Sequence, residues 1–289
     1  MSAFRTMKTN LVASAFLCTL LLPCLLHAQA KLEFPAPSPA CTLKQRVGLT
    51  DIEINYSRPS GKGRQIFGGV VPYGVIWRTG ANASTKISVS TPVKLSGNEV
   101  PAGKYALYTI PGEDEWTIII SKNLDASVFN YDQKDDLLRF KVEPHKVAEH
   151  VETFTIEMPM IRDDSALLCL LWENTLVPIN IELDLTTKLV PQIEAAMSEP
   201  GDPKPNYQAA MFYFDHNLDI QKARKWIEAI PADRETYYIL HLKAKILAKA
   251  GDKPGAIAAA KRSSELAVKA EGPKSGYVKM NQDLVSSLQ

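Results

Sequence analysis

The amino-acid pattern changes abruptly at Leu185, and this change most restricts the fold of the chain. Between Thr42 and Leu183, short apolar runs alternate with polar residues, and no long segment has the helical period of about 3.6 residues. After Leu185, Ala, Lys, Leu and Glu recur at helical spacing. We therefore expect an α+β multidomain protein with its strands in the first part and its helices in the second.

The strand-like runs are short and are separated by turn residues. In DIEINY, Ile52, Ile54 and Tyr56 alternate with polar residues, and the segment PGED separates KYALYTI from EWTIII as a hairpin turn would. Further runs are TKISVS, LLRFKVE, HVETFTIEM, SALLCLLW and VPINIEL. Many short strands with Gly, Pro and Asn turns, and no helices to cover a parallel sheet, predict an antiparallel β-sandwich-like domain.

The helical part contains an internal repeat. Asp219 and Ala223 recur as Asp252 and Ala256, and the offset is close to the tetratricopeptide period of about 34 residues. The alanines are small where two helices of a pair must approach closely, and Gly276–Leu288 has the pattern of a final helix. These features predict a small α-helical tetratricopeptide-like repeat domain. Because two repeats bury little surface alone, we expect the helices to dock on the β domain.

The first thirty residues have the pattern of a secretory signal peptide. Arg5 and Lys8 form a basic start, Leu11 to Leu26 is apolar, and Ala28-Gln29-Ala30 is an A-x-A cleavage site. We therefore predict export through a cleavable signal to the periplasm or beyond the cell. The predicted organisation is a signal peptide at 1–30, a β-sandwich-like domain at 31–185 and an α-helical domain at 186–289.

The charge balance of the mature chain gives no reason for binding to nucleic acid or to anionic membranes. Removal of Arg5 and Lys8 lowers the formal net charge from +1 to −1. No later stretch is long and apolar enough for a membrane span. Of the four cysteines, Cys41 and Cys169 remain, either as a disulfide or, as we favour, as two separate thiols.

One segment gathers positive charge and glycine. From Ile54 to Asn98 there is no Asp or Glu, although the segment contains several Arg, Lys and Gly residues. Guanidinium groups match carboxylates and phosphates, and glycine allows close approach of backbone N–H groups. The segment thus holds the candidate ligand-binding residues, which are Arg58, Lys62, Arg64, Tyr73, Trp77, Arg78 and Asn82.

Three interpretations of this basic segment remain open. It binds a small anionic or sugar-like ligand, its cations pair with acids elsewhere, or it docks a partner protein. Acids available for pairing include those of Glu113–Glu115, and those at positions 132, 135 and 136.

Motifs for known cofactors and catalytic centres are missing from the sequence. GKGRQIFGG matches neither phosphate-binding glycine motif, and there is no G-x-S-x-G. His145 and His150 are not spaced like the two histidines of a zinc helix. We predict no cofactor and no metal site. For an enzyme, Glu173 or Asp114 is the candidate proton carrier opposite the arginines.

The basic segment also carries a family resemblance. The stretch YSRPSGKGRQIFGGVVPYGVIWRTGANAST, with its flanks, resembles the bacterial family called domain of unknown function 2911 over roughly Leu43 to Leu183. The resemblance implies a secretory signal and, often, tetratricopeptide-like helices after the β domain, but no catalytic role. Its hallmark residues here are Tyr56, Arg58, Lys62, Gly63, Arg64, Pro72, Tyr73, Trp77, Arg78, Gly80, Asn82, Gly103, Tyr105 and Trp116.

The sequence therefore favours a non-catalytic binding or scaffolding module. In this interpretation its basic, Gly-rich segment forms a face for a ligand or a partner, and its helical repeats add a docking surface for a protein partner. The alternative is an enzyme that acts on a carbohydrate or another anionic substrate derived from the cell envelope.

Overall fold

The computed structural model describes residue 32 and residues 34–201 and 203–289. The signal peptide predicted at 1–30 lies outside the described residues. All helices and strands given below lie within one compact unit, Pro37–Gln289.

Two antiparallel sheets make up the first part of the chain. The larger sheet has the order β1-β2-β3-β6-β7-β8 and the smaller sheet the order β5-β4-β10-β9. Along the chain the strands are β1 Ala40–Val47, β2 Thr50–Ser57, β3 Thr85–Val89, β4 Val93–Leu95, β5 Asn98–Val100, β6 Gly103–Ile110, β7 Trp116–Ser121, β8 Asp136–Val142, β9 His145–Ile161 and β10 Ser165–Glu182. The prediction of an antiparallel, strand-rich first part is confirmed.

The alternating pattern of the strands matches the faces that they bury. Ile52, Ile54 and Tyr56 of β2 are buried, as are Ile87 and Val89 of β3. The predicted hairpin joins β6 to β7, which pair antiparallel. Side chains of both sheets share one hydrophobic core, as packed layers do when each buries an apolar face.

The runs SALLCLLW and VPINIEL are two halves of a single strand, β10. The apolar pattern is interrupted between the two halves. The interruption coincides with shifts in the register between β9 and β10 around Glu173. Glu173 has φ 51°, a left-handed conformation that is unusual for a residue other than glycine. The irregularity reorients the strand without ending it, as β-bulges do.

A cluster of aromatic rings fills the core between the sheets. Trp77 stacks on Trp172 with ring centroids 5.9 Å apart, and Phe67 meets Trp116 edge-on at 5.0 Å. Phe154 packs edge-on against Trp77 at 5.0 Å. These contacts fix the loop between β2 and β3, because Phe67 and Trp77 both belong to it.

Six helices follow the strands in the described part of the chain. They are α1 Leu185–Ser198, α2 Asn206–Asp215, α3 Ile220–Glu228, α4 Tyr237–Lys249, α5 Lys253–Glu271 and α6 Gly276–Leu288. Helix α1 begins where the sequence pattern changes, with Asp184 as its N-cap accepting from the Thr187 N–H. No helix of the described residues has the length and apolar character that crossing a bilayer requires.

The first helices pack on the β domain. Leu185 is buried in the core of the sheets, and Leu189 of α1 and Phe212 of α2 pack against that core. His216, just after α2, has its Nε2 2.9 Å from the Asp163 Oδ2 in the β9–β10 turn. Phe212 also packs against the core of the helices, so it links the two parts.

Cys41 and Cys169 are both free thiols. Cys169 is fully buried, and this burial raises the pKa of its thiol to about 11. A thiol that is neutral and enclosed is a structural residue rather than a nucleophile.

Candidate functional site

The basic segment between β2 and β3 is bound to the edge of β9. The Gly61 N–H donates to the Glu152 carbonyl at 2.8 Å, and the Phe154 N–H donates to the Pro59 carbonyl at 2.9 Å. The Lys62 N–H donates to the Glu152 carboxylate at 2.7 Å. The segment therefore continues the smaller sheet before it turns across the end of the core.

The three arginines of the segment donate to nearby oxygen atoms of the protein. Arg58 donates to the Phe154 carbonyl at 3.0 Å and to the Thr155 hydroxyl at 2.6 Å. Arg64 donates to the Gly61 and Ser60 carbonyls, each at 2.9 Å. Within the described residues, neither Arg58 nor Arg64 forms an ion pair with an acid. Their guanidinium groups hold backbone in place.

Arg78 and Asn82 form a separate local arrangement. Arg78 Nη1 donates to the Asn82 carbonyl at 2.5 Å. The Asn82 side chain donates to the Ser38 carbonyl and to the Ser57 hydroxyl, each at 3.2 Å. Asn82 has φ 60°, which asparagine tolerates better than most residues. In the described structure Arg78 also has no acidic partner. Its hydrogen bond to Asn82 stabilises the turn before β3.

The remaining candidates lie in different environments. Trp77 is buried and donates through Nε1 to the Gly80 carbonyl at 3.0 Å. The Lys62 side chain is exposed. Tyr73 is 37% exposed, and of the seven candidates it alone lines the cleft described next.

Glu173 fixes the part of the loop that carries Phe67. Its carboxylate accepts from the Ile66 N–H at 3.0 Å and from the Phe67 N–H at 3.4 Å. This places the Phe67 ring in the aromatic cluster. Since both oxygen atoms are engaged with backbone, Glu173 acts in the structure as a clamp for the loop.

The Tyr73 ring is held above the same loop by two glycines. Gly68 has φ 81°, and a Cβ there would lie 3.0 Å from the Tyr73 Cε2 atom. The Gly74 N–H donates to the Pro111 carbonyl at 2.8 Å. This bond brings the loop to the β6–β7 turn. A side chain at Gly68 would displace the ring.

Strand pairing brings three distant segments together at this end of the sheets. Trp116 at the start of β7 pairs with Val142 at the end of β8, so the turns that precede and follow these residues are neighbours. Lys146 at the start of β9 pairs with Thr175 of β10. The turn between β8 and β9 therefore lies beside both sheets.

These segments enclose a cavity of about 410 Å³, which we call the acidic cleft. Its volume is that of a small-molecule site. The cleft is lined by Phe67, Tyr73, Gly112, Glu113, Asp114, Trp116, Glu143, Pro144, His145, Lys146 and Thr175.

The acidic cleft carries carboxylates that form no ion pair with the described residues. In the described residues Glu113, Asp114 and Glu143 form no ion pair, whereas the adjacent Glu115 pairs with Lys141 at 2.5 Å. Lys146 is the one lysine among the lining residues. Three carboxylates therefore stand beside one lysine, and the lining of the cleft carries an excess of negative charge.

The negative charge of the cleft affects the pKa of Tyr73. Burial raises the pKa of its hydroxyl, and the negative charges of Glu113 and Glu173 raise it further. The ring therefore stays neutral at physiological pH and offers an aromatic face beside carboxylates. Such a combination attracts organic cations through both charge and the ring quadrupole.

The lining residues lack the contacts of a catalytic or metal centre. No hydrogen bond of the described residues joins His145 to a lining carboxylate or hydroxyl, as a nucleophile and its base require. The described residues also contain no cluster of three or more His, Cys, Asp or Glu side chains arranged for a metal ion.

The sequence indicated only part of this site. The sequence predicts Tyr73 as a ligand-binding residue and Asp114 as a proton carrier, but it predicts no role for Glu143 or Lys146. The spacing of His145 and His150 argues only against a zinc helix. The usable signal was the position of these residues in turns, at the ends of paired strands.

These features define a class of protein. It has an antiparallel β domain of two sheets with an acidic cleft at one end, and helices follow this domain. Residues 38–181 match the family described as "Protein of unknown function (DUF2911)". The β domain of the chain therefore belongs to this family, and the resemblance seen in the sequence is confirmed. No curated protein and no solved structure matches the chain.

Proposed function

We propose that the protein is a non-catalytic binding module whose acidic cleft holds a small ligand with a positively charged group. The observation that carries this proposal is that Glu113, Asp114 and Glu143 form no ion pair among the described residues and line the cleft beside the exposed Tyr73. An ammonium or guanidinium group in the cleft gains charge-assisted hydrogen bonds and a cation–π contact.

A cationic ligand fits the cleft better than the anionic ligand that the basic segment suggests. An anion in the cleft would face three carboxylates and one lysine, and the repulsion would oppose its binding. The guanidinium groups of Arg58, Arg64 and Arg78 donate to protein oxygen atoms instead. In this proposal the basic, Gly-rich segment builds one wall of the site and contributes Tyr73 as its contact residue.

The same proposal includes the organisation of the chain. Residues 1–30 direct export, residues 31–185 bind the ligand, and residues 186–289 form a tetratricopeptide-like array that offers a surface to a protein partner. The repeat is supported by equivalent contacts. Asp219 and Asp252 are both N-caps, and Ala223 and Ala256 are both fully buried.

A thermal-shift comparison tests the function. Benzylamine, arginine and spermidine represent the cations, and glucuronate, phosphate and succinate represent the anions. We expect cations to raise the Tm of the wild type and the anions to leave it unchanged. The double variant Glu113→Gln/Glu143→Gln loses two of the three carboxylates and is expected to lose most of the response.

The control variant is Glu149→Gln/Glu199→Gln, which removes two exposed acids outside the cleft. It is expected to respond like the wild type. Stabilisation by the anions alone, or an equal response of all three proteins to the cations, would show that the cleft is not the binding site.

A further inference from the structure

Tyrosines from three helices form a continuous row on the surface of the helical part. The rings of Tyr207 in α2 and Tyr238 in α4 meet edge-on at 5.6 Å. Tyr238 contacts Tyr237 at 5.5 Å, and Tyr237 contacts Tyr277 of α6 at 4.9 Å. The row therefore crosses α2, α4 and α6 near the helix N-termini.

The tyrosine row is packed closely yet remains accessible. Burial raises the pKa of the Tyr207 hydroxyl, with further contributions from Tyr277 and Tyr238. Tyr238 is 39% exposed, and Met211, one turn after Tyr207, is 36% exposed. Tyrosines packed in this way lose little conformational entropy on binding, since their neighbours already hold them.

Two lysines lie over an aromatic ring further along the same helices. The Nζ of Lys245 is 4.7 Å and that of Lys249 is 5.0 Å from the centre of the Phe214 ring. Lys249 also donates to the Asn217 side chain at 2.6 Å. In the described part of the protein, neither lysine has an acid as an ion-pair partner. Their positive charges are therefore held in place and remain unneutralised.

Helical geometry puts the tyrosines and the lysines on one face. On α2, Tyr207 and Phe214 are seven residues apart, which is two turns, and on α4 Tyr238 and Lys245 have the same separation. The two ends of the face are roughly 10 Å apart along the helix axis. This distance corresponds to about three residues of an extended peptide.

We propose that this tyrosine–lysine face docks an extended, acidic peptide segment of a partner protein. Charge complementarity selects the partner, because Lys245 and Lys249 have no acid as an ion-pair partner among the described residues and are available to carboxylates of the peptide. The tyrosines pack against prolyl or aliphatic groups about three residues away, as aromatic-lined grooves do with extended chains. The site is separate from the acidic cleft.

The full chain tests this proposal with a fluorescein-labelled peptide of alternating proline and glutamate. Fluorescence anisotropy at low salt compares it with the matched peptide of proline and glutamine. The variant Lys245→Gln/Lys249→Gln removes the two cations. The control Lys225→Gln/Lys269→Gln makes the same charge change at exposed positions on α3 and α5.

We expect the glutamate peptide to bind the wild type and the control variant equally. The Lys245→Gln/Lys249→Gln variant is expected to bind it about tenfold more weakly, since charge-assisted hydrogen bonds are lost. Tyr238→Ala is expected to weaken the binding of the glutamate peptide and any residual binding of the glutamine peptide. Circular dichroism and Tm verify that each variant is folded.

Three results would overturn the proposal. The first is no binding of the glutamate peptide to the wild type. The second is equal loss of affinity in both lysine variants, which would indicate a general charge effect. The third is that oligothymidylate, and not the peptide, binds through Lys245 and Lys249, which would assign the face to another polyanion.

Discussion

Replacement of Glu173 by alanine removes the clamp that holds the wall of the acidic cleft. The carboxylate accepts one hydrogen bond of ordinary length, 3.0 Å from the Ile66 N–H, and one long bond, 3.4 Å from the Phe67 N–H. Ile66 is fully buried, so its N–H is left without a partner. The expected loss is about 2–4 kcal/mol of unfolding free energy.

Two further substitutions separate the hydrogen bonds from the backbone conformation. Glu173→Gln retains an oxygen for the Ile66 N–H and is expected to cost about 1 kcal/mol. Glu173→Gly loses both bonds but suits the left-handed φ of 51°. It is therefore expected to be about 1 kcal/mol more stable than Glu173→Ala, which retains the unfavourable conformation.

Urea unfolding followed by tryptophan fluorescence measures these differences, because Trp77, Trp116 and Trp172 surround Phe67. The expected order of stability is wild type, Gln, Gly and then Ala. If Glu173→Ala unfolds within about 0.5 kcal/mol of the wild type, the clamp does not stabilise the loop. If the glycine variant is less stable than the alanine variant, the argument from backbone conformation is wrong.

Three other outcomes are expected. Arg78→Lys loses the hydrogen bond to the Asn82 carbonyl. It is therefore expected to lower stability by about 1 kcal/mol in thermal unfolding and to leave binding in the cleft unchanged. A change in affinity without a change in Tm would place Arg78 at the ligand. Burial, with the hydrogen bond to Asp136, raises the pKa of Tyr131 from 10.0 to about 12. The contribution of the neutral Tyr131 hydroxyl to stability is present below pH 10 and is lost as the pH rises to about 12. Tyr131→Phe is therefore expected to flatten the dependence of Tm on pH in this range, and an unchanged slope of Tm against pH would contradict this. Mass spectrometry of the exported protein is expected to find Lys31 as the first residue, and a retained Met1 refutes export by cleavage.

Local features of the fold were predictable because they depend on neighbouring residues. The alternation in β2, the hairpin before β7 and the start of the helices at Leu185 all follow from short sequence patterns. The bulge at Glu173 was not predictable. It depends on pairing with β9 and on the loop that Glu173 clamps, and neither is visible in the sequence around it.

The candidate site was less predictable for a physical reason. A segment without acids suggested that its arginines lacked partners inside the protein. Backbone carbonyls are acceptors that every residue provides, and Arg58, Arg64 and Arg78 all use them. The acidic cleft joins Tyr73 to Glu113 and Glu143 through strand pairing, and such long-range proximity leaves no local pattern.

The most direct test of the central claim compares two ligands that differ in one charged group. Benzylamine and benzyl alcohol share an aromatic ring, but only benzylamine carries a positive charge at neutral pH. NMR titration of the wild type is expected to give a Kd of about 1 mM or tighter for benzylamine, with shifts at Tyr73 and Trp116. Benzyl alcohol is expected to bind about tenfold more weakly, and Glu113→Gln/Glu143→Gln is expected to remove the difference. Equal affinities for the two ligands, or shifts confined to residues outside the acidic cleft, would contradict the account.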